Sequence, residues 1–289
     1  MPPTTHQARR RRRLRAAGVL TLLTAVVGGG AYLAVTQLNS SEVLVRERCS
    51  AVVGTDTYEL RPEQAANAST IAGVAVTRGL PPRAASIALA TAVQESGLRN
   101  LDYGDQAGPD SRGLFQQRPS QGWGSEEQVQ DPIYAAGAFY DALVEVPAYQ
   151  TLPITEAAQL VQRSAYPDAY ADHEPEARAF ASALTGQSPA SLNCVLRKAE
   201  EPGNAVAVAE RFAAVFPTVA TSPSENGMVA SASGSVGWAA AQFAVAHAKE
   251  LGISTVSHAG LRWDRNDGGW TTAETETGQI LITLAEAPV

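Results

Sequence analysis

The first long apolar stretch of the chain carries no charge and follows a basic segment. Residues 16–38 are 23 uncharged and mostly apolar residues, and segment 9–15 before them holds six arginines. At ~1.5 Å per residue, a helix of this length spans about 34 Å, enough to cross the hydrocarbon core of a bilayer. The arginines favour a cytoplasmic N-terminus. We therefore predict a cytoplasmic tail over 1–15, a single-pass membrane anchor over 16–38 and an extracytoplasmic remainder. A cleaved signal peptide is the alternative.

Beyond residue 48, the spacing of apolar positions and the Gly and Pro residues predict two blocks of structure. Apolar and β-branched residues on either side of Gly54-Thr55-Asp56 predict a hairpin over 51–60. The predicted helices are 62–78, 83–96, 126–145, 155–164, 168–185, 205–215 and 236–251, and the predicted later strands are 253–258, 260–263, 269–272 and 279–284. The Gly- and Pro-rich segment 100–124 predicts a long loop of the kind that usually carries function. The polar stretch 221–235 predicts a second, mobile loop.

These elements define an α+β fold class with two folded parts outside the membrane. Residues 49–194 are predicted to form a mainly helical domain. Residues 195–204 belong to a predicted linker that is rich in Ser, Pro, Glu and Gly. Residues 205–289 are predicted to form a small α/β accessory domain.

The charge balance excludes nucleic acid as a partner. The whole chain has a formal charge of −7, but residues 1–41 hold six arginines and no acid. Without those six, residues 42–289 hold 16 basic against 29 acidic side chains, a formal charge of −13. Affinity for nucleic acid comes largely from cations that neutralise phosphates, so this surface is a poor polyanion binder.

The chain has two cysteines, Cys49 and Cys194. Two cysteines rule out a disulfide-dense scaffold and a cysteine-rich zinc site. In an oxidising compartment outside the membrane, we expect them to form a disulfide that brackets the helical domain. Two buried thiols are the alternative.

One glutamate stands where burial favours a protonated carboxyl. Glu95 lies on the last turn of an otherwise apolar, alanine-rich predicted helix, and a polar loop faces it fifteen residues further on. Desolvation disfavours the charged form of a carboxyl, and a carboxyl kept protonated in this way can donate a proton to the oxygen of a glycosidic bond. A terminal glutamate that only faces solvent is the alternative.

The residues around Glu95 resemble a known signature. Glu95-Ser96-Gly97, followed by Ser111-Arg112-Gly113-Leu114-Phe115-Gln116, resembles the lysozyme-like superfamily of goose-type lysozymes and soluble lytic transglycosylases. The likeness is close over 92–98 and 111–119 and extends in layout over 62–186. The chain also resembles actinobacterial membrane-anchored proteins that carry such a domain.

The resemblance implies a site that cleaves the β-1,4 bond of peptidoglycan glycan strands without a cofactor or metal. It implies that Glu95 is the general acid, and that the segment from Ser111 to Gln116 contacts N-acetyl groups. Tyr166 corresponds to the tyrosine of a late Tyr-Asn motif, although Pro167-Asp168 replaces the residues after it.

Two further predictions concern the cleft. Gln116 and Gln117 alternate across a short predicted strand, so that one faces the cleft and the other the interior. Trp123, between two glycines of the loop, is a candidate platform for a sugar ring, with core packing as the alternative.

A hydrolase of this type needs a second carboxylate. Asp102, Asp105 and Asp110 follow Glu95 on the loop, and Asp105 is the preferred catalytic candidate, with turn formation as the alternative. Lytic transglycosylases offer another solution, because they use one acid/base glutamate together with groups of the substrate itself.

The C-terminal residues carry a weaker likeness. Segments around Trp238, Trp263 and Trp270 resemble a C-terminal domain of actinobacterial wall-associated proteins, itself similar to D-alanyl-D-alanine metallopeptidases. His247 and His258 lack a plausible third zinc ligand, and 279–282 lacks the late histidine pair. We expect a degenerate accessory domain without metal.

The sequence therefore predicts a membrane-anchored, extracytoplasmic lytic transglycosylase or lysozyme. The alternative from another class is a non-catalytic protein that binds peptidoglycan or acts as an envelope scaffold. A membrane partner subunit or transporter is the third possibility, and an anchor without intramembrane charge argues against it.

Overall fold

Helices and strands follow one another in blocks along the chain. The structure, a computed structural model, describes residues 29–30, 45–106, 108–163 and 168–286. The helices from residue 45 onward are α1 (Pro62–Thr77), α2 (Pro82–Ser96), α3 (Glu126–Gln130), α4 (Pro132–Val144), α5 (Ile154–Gln162), α6 (Glu174–Leu184), α7 (Ala205–Val215), α8 (Gly234–Ala246) and α9 (Ala248–Leu251). The strands are β1 (Arg48–Val53), β2 (Asp56–Leu60), β3 (Leu192–Val195), β4 (Ala220–Ser224), β5 (Gly227–Ser231), β6 (Ile253–His258), β7 (Leu261–Asp264), β8 (Trp270–Thr272) and β9 (Gln279–Leu284). Short 3₁₀ turns cover Pro119–Gln121 and Ala169–His173.

The strands form two antiparallel sheets, which confirms an α+β fold. The first sheet has the order β2-β1-β3, and the second has the order β4-β5-β9-β6-β7-β8. The four later predicted strands are present within one residue of their predicted bounds, and the hairpin predicted over 51–60 is present but begins three residues earlier, at Arg48. Period-two burial explains this success, because Ile280 and Ile282 of β9 are buried while Leu281 between them is 42% exposed.

The first sheet contains the predicted disulfide. Cys49 of β1 stands directly opposite Cys194 of β3, and the two are bonded across a sequence separation of 145 residues. Both side chains are fully buried. The bond therefore ties the strand before the helical body to the strand after it.

The helical body is built around α1 and α2, both rich in alanine. Pro62 and Pro82 stand in the first turns of these helices, where a proline costs no hydrogen bond. Ten of the fifteen residues of α2 are buried. The small alanine side chains let α2 pack closely against α1, α5 and α6. The central helix is thus packed against these three helices, and Glu95 lies in its last turn.

Two long predicted helices are each divided in the structure. The helix predicted over 126–145 is interrupted at Asp131, whose carboxylate accepts hydrogen bonds from the backbone N–H groups of Ile133 (2.8 Å) and Tyr134 (3.2 Å). Asp131 followed by Pro132 is a helix-start signal that starts α4 anew. The helix predicted over 236–251 is divided at His247 between α8 and α9. The segment predicted as helix over 168–185 begins as the Ala169–His173 turn before α6.

The loop predicted over 221–235 is wrong. Most of it is the hairpin of β4 and β5, joined by a two-residue turn at Glu225-Asn226. β5 pairs along its whole length with β9, and the side chains of Met228 and Ala230 in β5 are buried. Pairing with a strand fifty residues away stabilises a segment whose polar composition does not predict a strand.

A buried amide links the C-terminal residues to the helical body. Gln242 of α8 is fully buried, and its carbonyl oxygen accepts from the backbone N–H groups of Ser191 (3.0 Å) and Leu192 (2.7 Å). Its amide nitrogen donates to the carbonyl oxygen of Ala183 at 2.6 Å. The described residues from Arg46 onward form one compact unit, and the predicted linker 195–204 lies inside it. The division into two domains stays a prediction.

The predicted anchor lies almost wholly outside the described residues. Of residues 16–38, only Gly29 and Gly30 are described. Among the residues that are described, no helix is both long enough and apolar enough to cross a bilayer.

Candidate active site

Glu95 is held at the end of α2 by a tight backbone turn. The helix ends at Gly97, which adopts a left-handed conformation (φ 61°), and Leu98 is left-handed as well (φ 56°). Two side chains of α1 stabilise this turn by hydrogen bonds to its carbonyl oxygens. The Gln64 amide donates to the carbonyl oxygen of Gly97 (2.8 Å), and the Asn67 amide donates to that of Leu98 (2.9 Å). The position of Glu95 is therefore determined by α1 as well as by its own helix.

Ser96 connects the helix end to the segment that carries the second half of the signature. Its hydroxyl donates to the carbonyl oxygen of Leu114 at 2.8 Å. Segment 113–116 is a turn closed by a backbone pair between Arg112 and Gln117, so the short strand predicted there is wrong. The left-handed conformation of Gln116 (φ 48°) is incompatible with a strand at that point.

The carboxyl group of Glu95 is half-buried and is bonded by two neutral donors. The Tyr170 hydroxyl donates to Glu95 Oε1 at 2.7 Å, and the Gln162 amide also donates to the carboxylate. Burial raises the pKa of Glu95 above the usual value for a glutamate, while the bonds from Tyr170 and Gln162 lower it by less. The net effect retains the proton to a higher pH than in an exposed glutamate.

Arginines near the site pair with other carboxylates. Arg112 Nε contacts Glu126 at 3.0 Å, and Arg118 Nε contacts Asp110 at 2.9 Å. Within the part of the chain that the structure describes, Glu95 forms no ion pair. An arginine partner would hold the carboxyl ionised, so this arrangement is compatible with a proton donor.

The two glutamines predicted for the cleft have different surroundings. Gln117 is 1% exposed, and its amide donates to the carbonyl oxygen of Ala135 at 3.0 Å. Gln116 is partly exposed, and its amide donates to the carbonyl oxygen of Gly113 at 3.2 Å. Gln117 thus lies in the interior and Gln116 at the surface of the turn, and the position of Gln116 in a substrate cleft stays a prediction.

Ser111 is buried in the loop. It is 8% exposed and packs closely against Gly104 and Gly108. If either glycine carried a Cβ atom, that atom would lie 3.0 Å or less from the Ser111 side chain. Contact of Ser111 with a substrate stays a prediction.

The loop carboxylates have structural roles in this conformation. Asp105 Oδ1 accepts from the backbone N–H of Gly108 at 2.8 Å, which is the turn role that was the alternative to catalysis. Asp110 accepts from the backbone N–H of Ser120 (3.0 Å) as well as from Arg118, and the bonds from Ser120 and Arg118 hold the pKa of Asp110 well below its usual range. Asp102 is exposed. A catalytic role for Asp105 stays a prediction.

The tyrosine that contacts Glu95 is not the one that the sequence motif indicates. Tyr166 lies outside the described residues. Tyr170, four residues later, is fully buried and makes the bond to Glu95. Sequence reasoning missed both Tyr170 and Gln162. The one signal in the sequence is their position: Gln162 precedes, and Tyr170 follows, the segment around Tyr166 that the motif marks.

A cavity lies beside Gln162. It has a volume of about 680 Å³, within the usual range for ligand sites, and Trp123 and Leu160 line it together with Gln162. Gln162 also donates to the carbonyl oxygen of Phe115 at 2.8 Å. The Gln162 side chain therefore lines the cavity and also bonds to turn 113–116 and to the Glu95 carboxyl. Trp123 is partly exposed and also packs against the hydrophobic core, so its role as a sugar platform stays a prediction.

The two histidines considered as zinc ligands bond to other groups. His247 Nδ1 lies 2.6 Å from Glu250 Oε1, and burial lowers the pKa of His247. His258 Nδ1 donates to the carbonyl oxygen of Gln279 at 2.8 Å. Within the described ranges, no three His, Cys, Asp or Glu side chains are grouped as metal ligands.

No protein-family profile matches the chain, and no curated protein matches it significantly.

Proposed function

We propose that this protein is a peptidoglycan-cleaving glycosidase of the lysozyme-like superfamily, acting on the β-1,4 bond of glycan strands with Glu95 as acid and base. The observation that carries the proposal is the environment of Glu95. A half-buried carboxyl with a raised pKa receives hydrogen bonds from Tyr170 and Gln162, and Gln162 also lines a ligand-sized cavity. Perturbed carboxyls in such places are typical of catalytic acids.

The proposed reaction starts with the protonated form of Glu95. Its O–H donates the proton to the oxygen of the scissile bond, and the bond between that oxygen and C1 of the sugar breaks with its electron pair going to the oxygen. The resulting Glu95 carboxylate is stabilised by the Tyr170 hydroxyl and the Gln162 amide. Both donors thus support the state that forms after proton transfer.

The loop carboxylates favour the transglycosylase type within this proposal. Asp105 and Asp110 are bonded to backbone N–H groups of their own loop. With one acid/base, the Glu95 carboxylate takes the proton of the substrate's 6-hydroxyl group as its oxygen attacks C1. The product is a 1,6-anhydro sugar, and no water is consumed.

The proposed location is the outer face of a membrane, with residues 16–38 as a single-pass anchor, the N-terminus in the cytoplasm and the remainder outside. The uncharged run after the arginines supports this orientation. The disulfide between Cys49 and Cys194 supports an oxidising compartment.

The test is digestion of purified peptidoglycan by the full chain in detergent, with mass spectrometry of the soluble products and a Glu95→Gln variant as control. We expect fragments with 1,6-anhydro ends that the variant does not release. Reducing ends would indicate a hydrolase with a second carboxylate. If the folded protein binds the polymer without releasing fragments, the enzyme proposal is wrong and the non-catalytic wall-binding alternative holds.

Tyr170 is proposed as a positioning residue, and its removal tests the arrangement. A Tyr170→Phe variant loses a hydrogen bond to a charged group, worth about 1.5–3 kcal/mol, so we expect turnover to fall by roughly 10- to 100-fold. Because this bond lowers the pKa of Glu95, its loss raises that pKa and moves the alkaline limb of the pH–rate profile to higher pH.

The control for this variant is Tyr140→Phe. Tyr140 is equally buried, and its hydroxyl donates to the carbonyl oxygen of Ile71 at 3.0 Å. This change should lower stability and leave the alkaline limb in place. An alkaline limb that Tyr170→Phe does not move would contradict the assigned role of Tyr170.

A further inference from the structure

The cavity beside Gln162 has two charged residues of opposite sign on its wall. Glu145 lies at the C-terminal end of α4 and Arg163 at that of α5, and both line the same cavity of about 680 Å³. Both are exposed, and within the described residues neither takes part in an ion pair. A cation and an anion thus lie on one cavity wall without neutralising each other.

Arg163 occupies a backbone position that disfavours an arginine. It is the left-handed C-cap of α5 with φ 54°, a position at which glycine is usually found. An arginine here adds backbone strain relative to glycine, and its side chain adds a guanidinium group to the cavity.

The remaining wall is partly apolar. Leu160 is 56% exposed although it is a large aliphatic residue, and Val146 and Pro147 line the cavity near it. Exposed aliphatic groups between opposite charges fit a ligand that has short aliphatic side chains as well as charged ends.

We propose that this cavity binds the peptide stem attached to the sugar that is cleaved, with Arg163 contacting a peptide carboxylate and Glu145 contacting a peptide ammonium group. This inference rests on the proposed function, since it names the part of the substrate that the same site recognises. N-acetylated sugar rings are neutral, whereas stem peptides carry several carboxylates, a free ammonium group on a diamino acid, and alanine methyl groups. Gln162 lines the cavity and also bonds to Glu95, so a bound peptide lies next to the scissile bond.

The test is calorimetric binding of a synthetic stem peptide, which contains alanine, glutamate and a diamino acid, to the full chain in detergent. We expect Arg163→Gln and Glu145→Gln each to raise the Kd by about two- to fivefold, as for other exposed charge pairs. Acetylating the peptide ammonium should weaken binding to the wild type by a similar factor and have no further effect on Glu145→Gln. The matched control is a Glu225→Gln/Arg262→Gln variant, which removes one exposed charge of each sign elsewhere.

Two outcomes separate this inference from the proposed function, and a third tests the role of Glu145. Cleavage of peptidoglycan together with no peptide binding by the wild type overturns the inference alone. Peptide binding with the expected pattern, without cleavage, overturns the enzyme proposal and leaves peptide recognition standing. Equal losses for the native and the acetylated peptide in Glu145→Gln contradict the assignment of Glu145 to the ammonium group.

Discussion

A Glu95→Gln variant is expected to lose peptidoglycan turnover by about 10²- to 10⁴-fold, the usual contribution of a general acid or base. The amide is similar in shape to the carboxyl but cannot donate or accept the proton of the reaction. The same variant is expected to unfold at a higher temperature than the wild type at pH 7. The measurements are product release from peptidoglycan and thermal unfolding as a function of pH.

The sign of the stability effect follows from the raised pKa of Glu95. In the unfolded chain the carboxyl ionises at its usual value, while in the folded protein burial disfavours the charge. Below the usual value both states are protonated, and Glu95 adds no penalty. As pH rises above it, the unfolded state loses its proton first, so the wild type loses stability that the glutamine variant keeps. The difference in unfolding temperature should therefore shrink as pH falls toward 4.

Glu176 of α6 offers a matched control. Burial also raises the pKa of Glu176, and Glu176→Gln should bring a stability gain of the same sign. It should leave turnover unchanged, because Glu176 belongs to neither the site nor the cavity. If both variants lost activity equally, or if Glu95→Gln kept it, Glu95 would not be the catalytic acid.

Removal of the disulfide is expected to have the largest effect on stability. A Cys49→Ala/Cys194→Ala variant should lose about 2–5 kcal/mol of the free energy of unfolding, because the bond closes a long loop in the unfolded chain. The variant keeps the backbone pairing of β1 with β3 and loses only the covalent link between these strands. Urea unfolding followed by tryptophan fluorescence measures the change.

A reductant supplies the control for the disulfide. Reduction should lower the unfolding midpoint of the wild type toward that of the double variant and leave the variant's own midpoint unchanged. Identical midpoints for the oxidised and the reduced wild type would show that the bond does not stabilise the fold.

Segments with strong local signals were predicted closely. The hairpin over 51–60, the helices that begin at Pro62 and Pro82, and the strands from 253 to 284 have apolar spacing and boundary residues that agree with each other. Two of the errors lie where contacts outside the segment decide the local structure. Pairing with β9 makes 220–231 a hairpin instead of a loop. Segment 113–116, to which Ser96 bonds through Leu114, is a turn instead of the predicted strand.

By itself the sequence determined the α+β class, the pairing of Cys49 with Cys194 and the placement of Glu95 at the end of an apolar helix. These follow from composition, from helical periodicity and from a cysteine count of two, all of which are local or arithmetical properties. Only the tertiary structure decided which groups surround the carboxyl. Tyr170 and Gln162 lie more than sixty residues from Glu95 in the chain, and packing around α2 brings them to it. The raised pKa of Glu95 depends on burial by several elements at once, and no stretch of sequence encodes that property alone.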